Sequence, residues 1–411
     1  QTADLNSNEL TGTAGADTFD VTGTNALTSA GINFSNVEVV NADEGADQVN
    51  TDGADASLFA ELGNAAEYAL ETLGITFRDT ENANLNGGTL AGSSEADSFE
   101  VTGAALTANG ITLTNAASAI DAGTGDDVVT VNDANSTLTG TDNALNTASY
   151  QFASIENADL QSNALTGTDG ADTFDVTGAN ALTSAGINFS NVESVDAKLG
   201  TDDVNTNGAT LQSSDEGEAV DHALMTQSIA FAGIENLDLA GGTLTGSNAA
   251  DSFEVTGAAL TANAISVTNA AVTIDASSGE DVLTVNDSTS ALTGSDNQLN
   301  TAEYEFTSIE KVNLEDNALL ATAGVDTFDV TGNKALTSAG MDFTGVASVD
   351  AAGGVDQVNT NAADLVAESG AAVDSAILTQ GIAFTNVDAI DLGGGALTAT
   401  AADETFALDA T

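Results

Sequence analysis

The sequence has no cysteine, no proline and no tryptophan, one histidine (His222), and only four basic residues, Arg78, Lys198, Lys311 and Lys334. Each absence excludes something. Without cysteine there is no disulfide framework, iron–sulfur cluster, thiolate zinc site or Cys–His catalysis. A Ser–His–Asp triad would rest on His222 alone. Four cations cannot line a groove for nucleic acid. The 63 acidic residues, for a net charge of −59 over 411 residues, would repel an anionic membrane surface. No run of about 18 apolar residues is present to span a bilayer.

High negative charge with 4% aromatics would suit a disordered chain, but 42% of residues are hydrophobic and they are regularly spaced. A folded protein with an acidic surface is the expectation. Gln1 is compatible with a mature terminus left by signal-peptide cleavage, and the lack of cysteine fits an exported protein without disulfides. An extracellular or cell-surface location is therefore expected.

Internal repetition organises the chain. Asp17-Thr18-Phe19-Asp20-Val21 recurs at Asp172–Val176 and Asp326–Val330, 155 and then 154 residues on, with sister copies at Asp97–Val101 and Asp251–Val255. Shorter versions begin at Asp47, Asp127, Asp202, Asp281 and Asp356, and a degenerate one at Glu404. A second strand type, Gly31-Ile32-Asn33-Phe34-Ser35-Asn36-Val37-Glu38-Val39, starts again at Ile75, Ile111, Tyr150, Ile187, Ile229, Ile265, Tyr304, Met341 and Ile382, at spacings of 36 to 43 residues. Both alternate apolar and polar residues at the period of a half-buried strand. Fourteen of the 15 phenylalanines fall in these slots, and Phe59 lies outside them. An all-β parallel β-solenoid of about ten coils of ~39 residues follows, as a single domain over 1–411 with super-repeats at about 10–164, 165–318 and 319–411. Phe19, Phe99, Phe174, Phe253, Phe328 and Phe406 should line one interior face. Phe34, Phe77, Phe152, Phe189, Phe231, Phe306, Phe343 and Phe384 should line another. A propeller would need blades of antiparallel strands, and Asn-Gly hairpin signals occur only at Asn86, Asn109 and Asn207. Three insertions, at about 52–73, 207–227 and 361–380, interrupt the coils. Good helix formers with leucines at 58, 62 and 70 predict a helix over Ala56–Thr72.

Five turns share a pattern of Asp or Asn, three residues, Gly, one residue, Asp. They end in Asp47, Asp127, Asp202, Asp281 and Asp356 and begin at Asn41, Asp121, Asp196, Asp275 and Asp350, with further acids at Asp43, Asp126, Asp203 and Glu280. Such turns offer two readings. Clustered carboxylates and carbonyls are a hard-oxygen environment suited to calcium, and aspartate also shapes turns through hydrogen bonds to its own backbone.

The stretches Gly45-Ala46-Asp47-Gln48-Val49 and Asp121-Ala122-Gly123-Thr124-Gly125-Asp126-Asp127-Val128 resemble the Asp/Gly turns of haemolysin-type (RTX-like) calcium-binding repeats. Phe189-Ser190-Asn191-Val192-Glu193 and Phe231-Ala232-Gly233-Ile234-Glu235-Asn236 are similar to repeats of large secreted bacterial adhesins. The full Gly-Gly-x-Gly-x-Asp nonapeptide is absent, and the coils are longer than those of an RTX roll. The resemblance implies a secreted β-solenoid with calcium as its cofactor.

Two carboxylates at a set separation suffice for a glycosidase, and 63 acids make such pairs unavoidable. Nearly every aspartate recurs in sister repeats, so no unique catalytic cluster stands out, and an enzyme is not expected. Ala3–Gly12 repeats as Ala158–Gly167, while Thr405-Phe406-Ala407-Leu408 occupies a strand slot, so the chain shows no atypical capping repeat. Open solenoid ends pair with other strands. The expected function is a structural subunit polymerising head to tail into an extracellular filament or matrix, stabilised by divalent cations. The alternative is a monomeric adhesin stalk or ligand-binding segment of a larger secreted protein.

Overall fold

Short segments rich in threonine and β-branched residues, apolar at every second position, can bury one side while the other stays wet. A computed structural model describes all residues except 62–63, 133, 214–221, 287–288, 368–375 and 399–411. The described residues form a parallel β-solenoid of about twelve turns, with 48 short strands and no helix. Two compact units make up the chain: Gln1–Asp203 with Gln227–Gly233, and Val204–Thr226 with Ile234–Thr411.

Within the first unit the strands build two ladders, and the chain passes from one to the other. Thr2–Asp4, Gln48–Asn50 and Asn82–Asn84 belong to the first ladder, and Leu10–Thr11, Val39–Asn41 and Leu90–Ala91 to the second. Parallel neighbours are one coil apart, an offset of 29 residues at Val128↔Asn157 and of 37 at Val39↔Thr76. The coil is thus shorter than the ~39-residue repeat read from the sequence, which accounts for the additional turns.

The ~39-residue period belongs to a different device. Thr18–Gly23 pairs antiparallel with Ala26–Ser29, and that strand pairs antiparallel with Ile32–Ser35. The first strand of this meander is bonded to Gln48–Asn50 and the last to Thr2–Asp4. The chain therefore overshoots by three rungs and fills the gap on its way back. The next meander, Ala56–Glu61, Asn64–Thr72 and Ile75–Arg78, lies in the second ladder. The one after, Ser98–Thr102, Ala105–Ala108 and Ile111–Thr114, returns to the first. The second unit repeats the plan, as in Ser252–Thr256, Ala259–Ala262 and Ile265–Thr268. Many of the reversals are two-residue turns with both φ values positive, as at Ala30 (48°) and Gly31 (76°), the geometry that matches strand twist. Alanine there hides the hairpin from a search for Asn-Gly.

Two expectations are corrected. Ala56–Thr72 is not a helix: Leu58 faces Leu70 across a hairpin, and both are buried. Cross-strand packing outweighs helix propensities worth tenths of a kcal/mol per residue. In the second and third insertions, Leu211–Ser213 pairs antiparallel with Ala223–Thr226, and Leu365–Ala367 with Ile377–Thr379. The remainder of those insertions lies outside the described residues. The second phenylalanine set also does not line one face. Its strands end the meanders, which alternate between ladders, so Phe34 and Phe189 join the ladder of Phe19 and Phe174 while Phe77 and Phe152 lie in the other. Phe406 is outside the described residues.

The interior consists of aromatic pairs reaching across from ladder to ladder. Phe19 meets Phe77 at 6.1 Å between ring centroids, Phe99 meets Phe152 at 5.5 Å, and Phe174 meets Phe231 at 6.1 Å. In the second unit Phe253 meets Phe306 at 5.7 Å and Phe328 meets Phe384 at 5.9 Å. Phe59, the phenylalanine outside the repeat slots, is half-buried with the Arg78 guanidinium carbon 5.6 Å from its centroid.

Coil-to-coil approach is closest where each turn leaves the second ladder. A Cβ built on Gly92 would lie 1.8 Å from the carbonyl oxygen of Ala122, and one on its sister Gly246 would lie 2.2 Å from that of Ala276. Backbone on both sides leaves no flexible group to yield. Gly92→Ala is expected to destabilise the fold by about 1–3 kcal/mol, the usual range for overpacking, measured by denaturant melts. An unchanged melt would mean that the coils separate more easily than this contact allows.

Candidate functional site: acid stacks at the turns

The five acidic turns all carry the chain from the second ladder to the first, and each uses its leading and closing residues as backbone caps. The leading residue closes the turn locally. Asn41 Oδ1 accepts the N–H of Asp43 at 3.1 Å, Asp121 Oδ1 that of Gly123 at 3.2 Å and Asp196 Oδ1 that of Lys198 at 3.1 Å. Asp275 and Asp350 do the same for Ser277 and Ala352, both at 3.0 Å. The capped residues have the positive φ that such a turn requires, 71° at Asp43 and 72° at Ser277.

The closing acid works between coils. Asp47, Asp127, Asp202, Asp281 and Asp356 are each 0% exposed. Their Oδ1 atoms accept the N–H of the matching residue one coil earlier: Asp17 and Asp97 at 2.7 Å, Asp172 at 2.8 Å, Asp251 at 2.7 Å and Asp326 at 2.8 Å. Those earlier residues cap turns of their own through Thr13, Ser93, Thr168, Ser247 and Thr322, whose hydroxyls and N–H groups both donate to them.

In the stacks of Asp47, Asp127, Asp281 and Asp356 a third acid joins from the following coil. The N–H of Asp47 donates to Glu81 at 2.8 Å, that of Asp127 to Glu156 at 3.0 Å, that of Asp281 to Glu310 at 3.0 Å and that of Asp356 to Asp388 at 3.1 Å. Three acids in three successive coils are thereby held in register. The third was not among the candidates read from sequence. Its signal was present in part, an acid following an apolar residue just after several second-type strands, as in Ile155-Glu156 and Ile309-Glu310.

Ionisation is electrostatically unfavourable for the middle carboxyls of Asp47, Asp127 and Asp281. Oδ2 of Asp47, Asp127, Asp281 and Asp356 is buried without a hydrogen-bond partner. Burial pushes the Asp127 and Asp281 carboxyls up to about 6, partly offset by the N–H each accepts, with Asp97 and Glu156, and Asp251 and Glu310, adding repulsion. Burial raises Asp47 in the same way.

The outer candidates are solvent-facing. Asp43, Asp121, Asp126, Asp196, Asp275, Glu280 and Asp350 are exposed and Asp203 is half-exposed. Several already have partners: Ser154 Oγ donates to Asp121 at 2.8 Å, Asn386 Nδ2 to Asp350 at 2.6 Å, and Lys311 Nζ pairs with Glu280 at 2.5 Å. Lys311 holds the Glu280 carboxyl below its ordinary range. Among the described residues no three acids or histidines converge as metal ligands. The turns therefore bring their acids together as caps between coils.

No family model matches the chain, and no curated protein matches it. The architecture agrees with the repeat-type β-helix that the turn motifs implied.

Proposed function

We propose that this protein is a structural subunit that adds to further copies of itself end to end, building an extracellular filament or surface matrix. One observation carries the reading. Parallel backbone pairing stacks rung on rung inside each unit, as Gln48–Asn50 carries Asn82–Asn84 and that strand carries Ile111–Thr114. A parallel rung of this kind is a template for another of the same type. The acidic sides of the coils repel their like, so rung-to-rung pairing rather than side-to-side contact is what drives association in this reading. A non-closing, heterologous contact of this kind gives fibres.

The test is electron microscopy and light scattering on the purified chain. Filaments or ladders of oligomers are expected. Monodisperse monomers at all protein and salt concentrations would instead favour the stalk or ligand-binding segment of a larger secreted protein.

The same reading includes divalent cations, calcium among them, at the five acidic turns. The support is the net charge of −59 and the exposure of Asp43, Asp126 and their sisters. Calcium is expected to raise the melting temperature more than sodium chloride of equal ionic strength, because binding to the native state adds to screening. Equal responses would leave screening alone.

A further inference from the structure

Repetition makes local departures from the pattern visible, and several fall together beside Thr18–Gly23. That strand pairs with Gln48–Asn50 only through Thr18–Asp20, so Val21–Gly23 overhangs the next coil. Its sister Thr327–Gly332 overhangs Gln357–Asn359 in the same way. The turns that follow the shorter strands share one backbone. The φ values are 55° at Asp52 and 50° at Asn361, and Ala54 N and Ala363 N close them onto Thr51 O and Thr360 O at 3.1 and 3.0 Å. Their side chains differ in one respect. Asn361 Nδ2 donates to Val330 O at 2.8 Å, tying the turn to the overhang. Asp52 has no N–H to offer Val21 O, so that tie is not made.

The following coil departs as well. In the second unit Asp391 Oδ1 caps the N–H of Gly393 at 2.9 Å, whereas here Asn84 Oδ1 caps that of Asn86 at 3.1 Å. A carboxylate is exchanged for an amide, and a glycine for a residue with an amide side chain.

These changes leave a cleft of about 330 Å³ beside the overhang, lined by Asp20, Thr22, Asn50, Asp52, Asn84 and Asn86 together with Val21. Sites for small organic molecules begin at about this size. The polar groups come from three successive rungs, spaced ~4.8 Å apart. Asp20 Oδ1 accepts Asn50 Nδ2 at 2.7 Å, which leaves its second oxygen and the Asp52 carboxylate as acceptors. Asn84 Oδ1 is occupied by the N–H of Asn86 and by Asn115 Nδ2 at 3.0 Å, which leaves Asn84 Nδ2 as a donor. The Thr22 hydroxyl and the Asn86 amide can act both ways.

A ligand matching this wall must donate and accept hydrogen bonds within one small frame, as hydroxyl groups do. An anion would meet two carboxylates, and an amine would leave the amide donors unmatched. A bare metal ion, which draws its oxygens to about 2–2.6 Å, would leave most of the cleft empty. We propose that this cleft binds a neutral sugar, with Asp20 and Asp52 accepting from its hydroxyls and Asn84 and Asn86 donating to them. The site does not rest on the self-assembly reading, and either can fail without the other.

Saturation-transfer NMR on the full chain tests this, with glucose, galactose, mannose, cellobiose, lactose and mannobiose as probes. Transfer to at least one of them is expected. Transfer to single sugars identifies a free sugar as sufficient, and transfer to disaccharides alone identifies a glycan chain. Asp52→Asn restores the amide found at Asn361, so it should keep the wild-type melting temperature and weaken binding by about tenfold or more, the worth of a hydrogen bond to a charged group. Asn86→Gly, which restores the residue found at Gly393, should weaken binding without unfolding the chain. Glu193→Gln removes an exposed charge elsewhere on the coils and should leave binding unchanged. No transfer to any of these sugars, or equal binding by wild type and Asp52→Asn, would overturn the proposal.

Discussion

Lowering the pH from about 7.5 to about 5 should stabilise this protein, the reverse of ordinary acid sensitivity. The cause lies in the buried middle carboxyls. Asp127 and Asp281 have folded values raised from 3.8 to about 6, and Asp47 is raised as well. A carboxyl whose folded value lies above its unfolded one binds its proton more tightly when folded. Its contribution is fully present below about pH 4 and is lost as pH rises from about 4 through 6. A shift of about two units is worth at most about 3 kcal/mol per site, and relaxation around the site reduces that. Protonation also lowers the net charge of −59 and its self-repulsion. Asp4 and Asp55 are shifted the other way, by hydrogen bonds from Asn36 and Asn6 and from Thr89. Their contribution is present above about pH 4 and disappears only as pH falls further, so it does not oppose the trend in this window. Thermal melts from pH 4.5 to 8 check the expectation. The double variant Asp127→Asn with Asp281→Asn keeps both Oδ1 acceptors and removes both charges, so it should melt higher than wild type at pH 7.5 and show a flatter pH profile. A melting temperature that climbs with pH would show that these carboxyls are ionised at little cost.

Phe99→Ala should cost about 3–5 kcal/mol, the range for deleting a fully buried ring. Phe99 is 1% exposed and packs edge-on against Phe152 from the opposite ladder. Coils contact only their neighbours, so the loss should weaken the surrounding rungs most, with amide exchange accelerating first in Ser98–Thr102 and Gln151–Ala153. Phe59→Ala is the control. That ring is half-buried and lies outside the interior pairs, so a loss of about 1 kcal/mol is expected. Equal losses at Phe59 and Phe99 in denaturant titrations would mean that the cross-ladder pairs do not carry the core.

Much of this architecture is written in period-two alternation and in the spacing of repeats. Those patterns determine an all-β chain, because only strands place every second side chain on one face. The 155-residue recurrence of Thr-Phe-Asp-Val, and aspartates ending five similar turns, were legible for the same reason: identical segments stacked in identical surroundings keep identical residues. The acids needed at the turns were visible too, though not what each was for.

Tertiary structure alone decided the rest. Ala56–Thr72 has the composition of a helix, and only the partners Leu58 and Leu70 find across a hairpin make it two strands. The ~39-residue period is visible in sequence, but whether it measures a coil or a meander depends on which strand a segment hydrogen-bonds, and backbone bonds leave no side-chain signature. The same limit hid the acid stacks. Asp127 and Glu156 are 29 residues apart, and nothing local to either says that one carboxylate will cap the other's N–H. Spacing showed where acids recur. Burial, which depends on the coils above and below, decided that Asp47, Asp127 and Asp281 would sit where a negative charge is unfavourable.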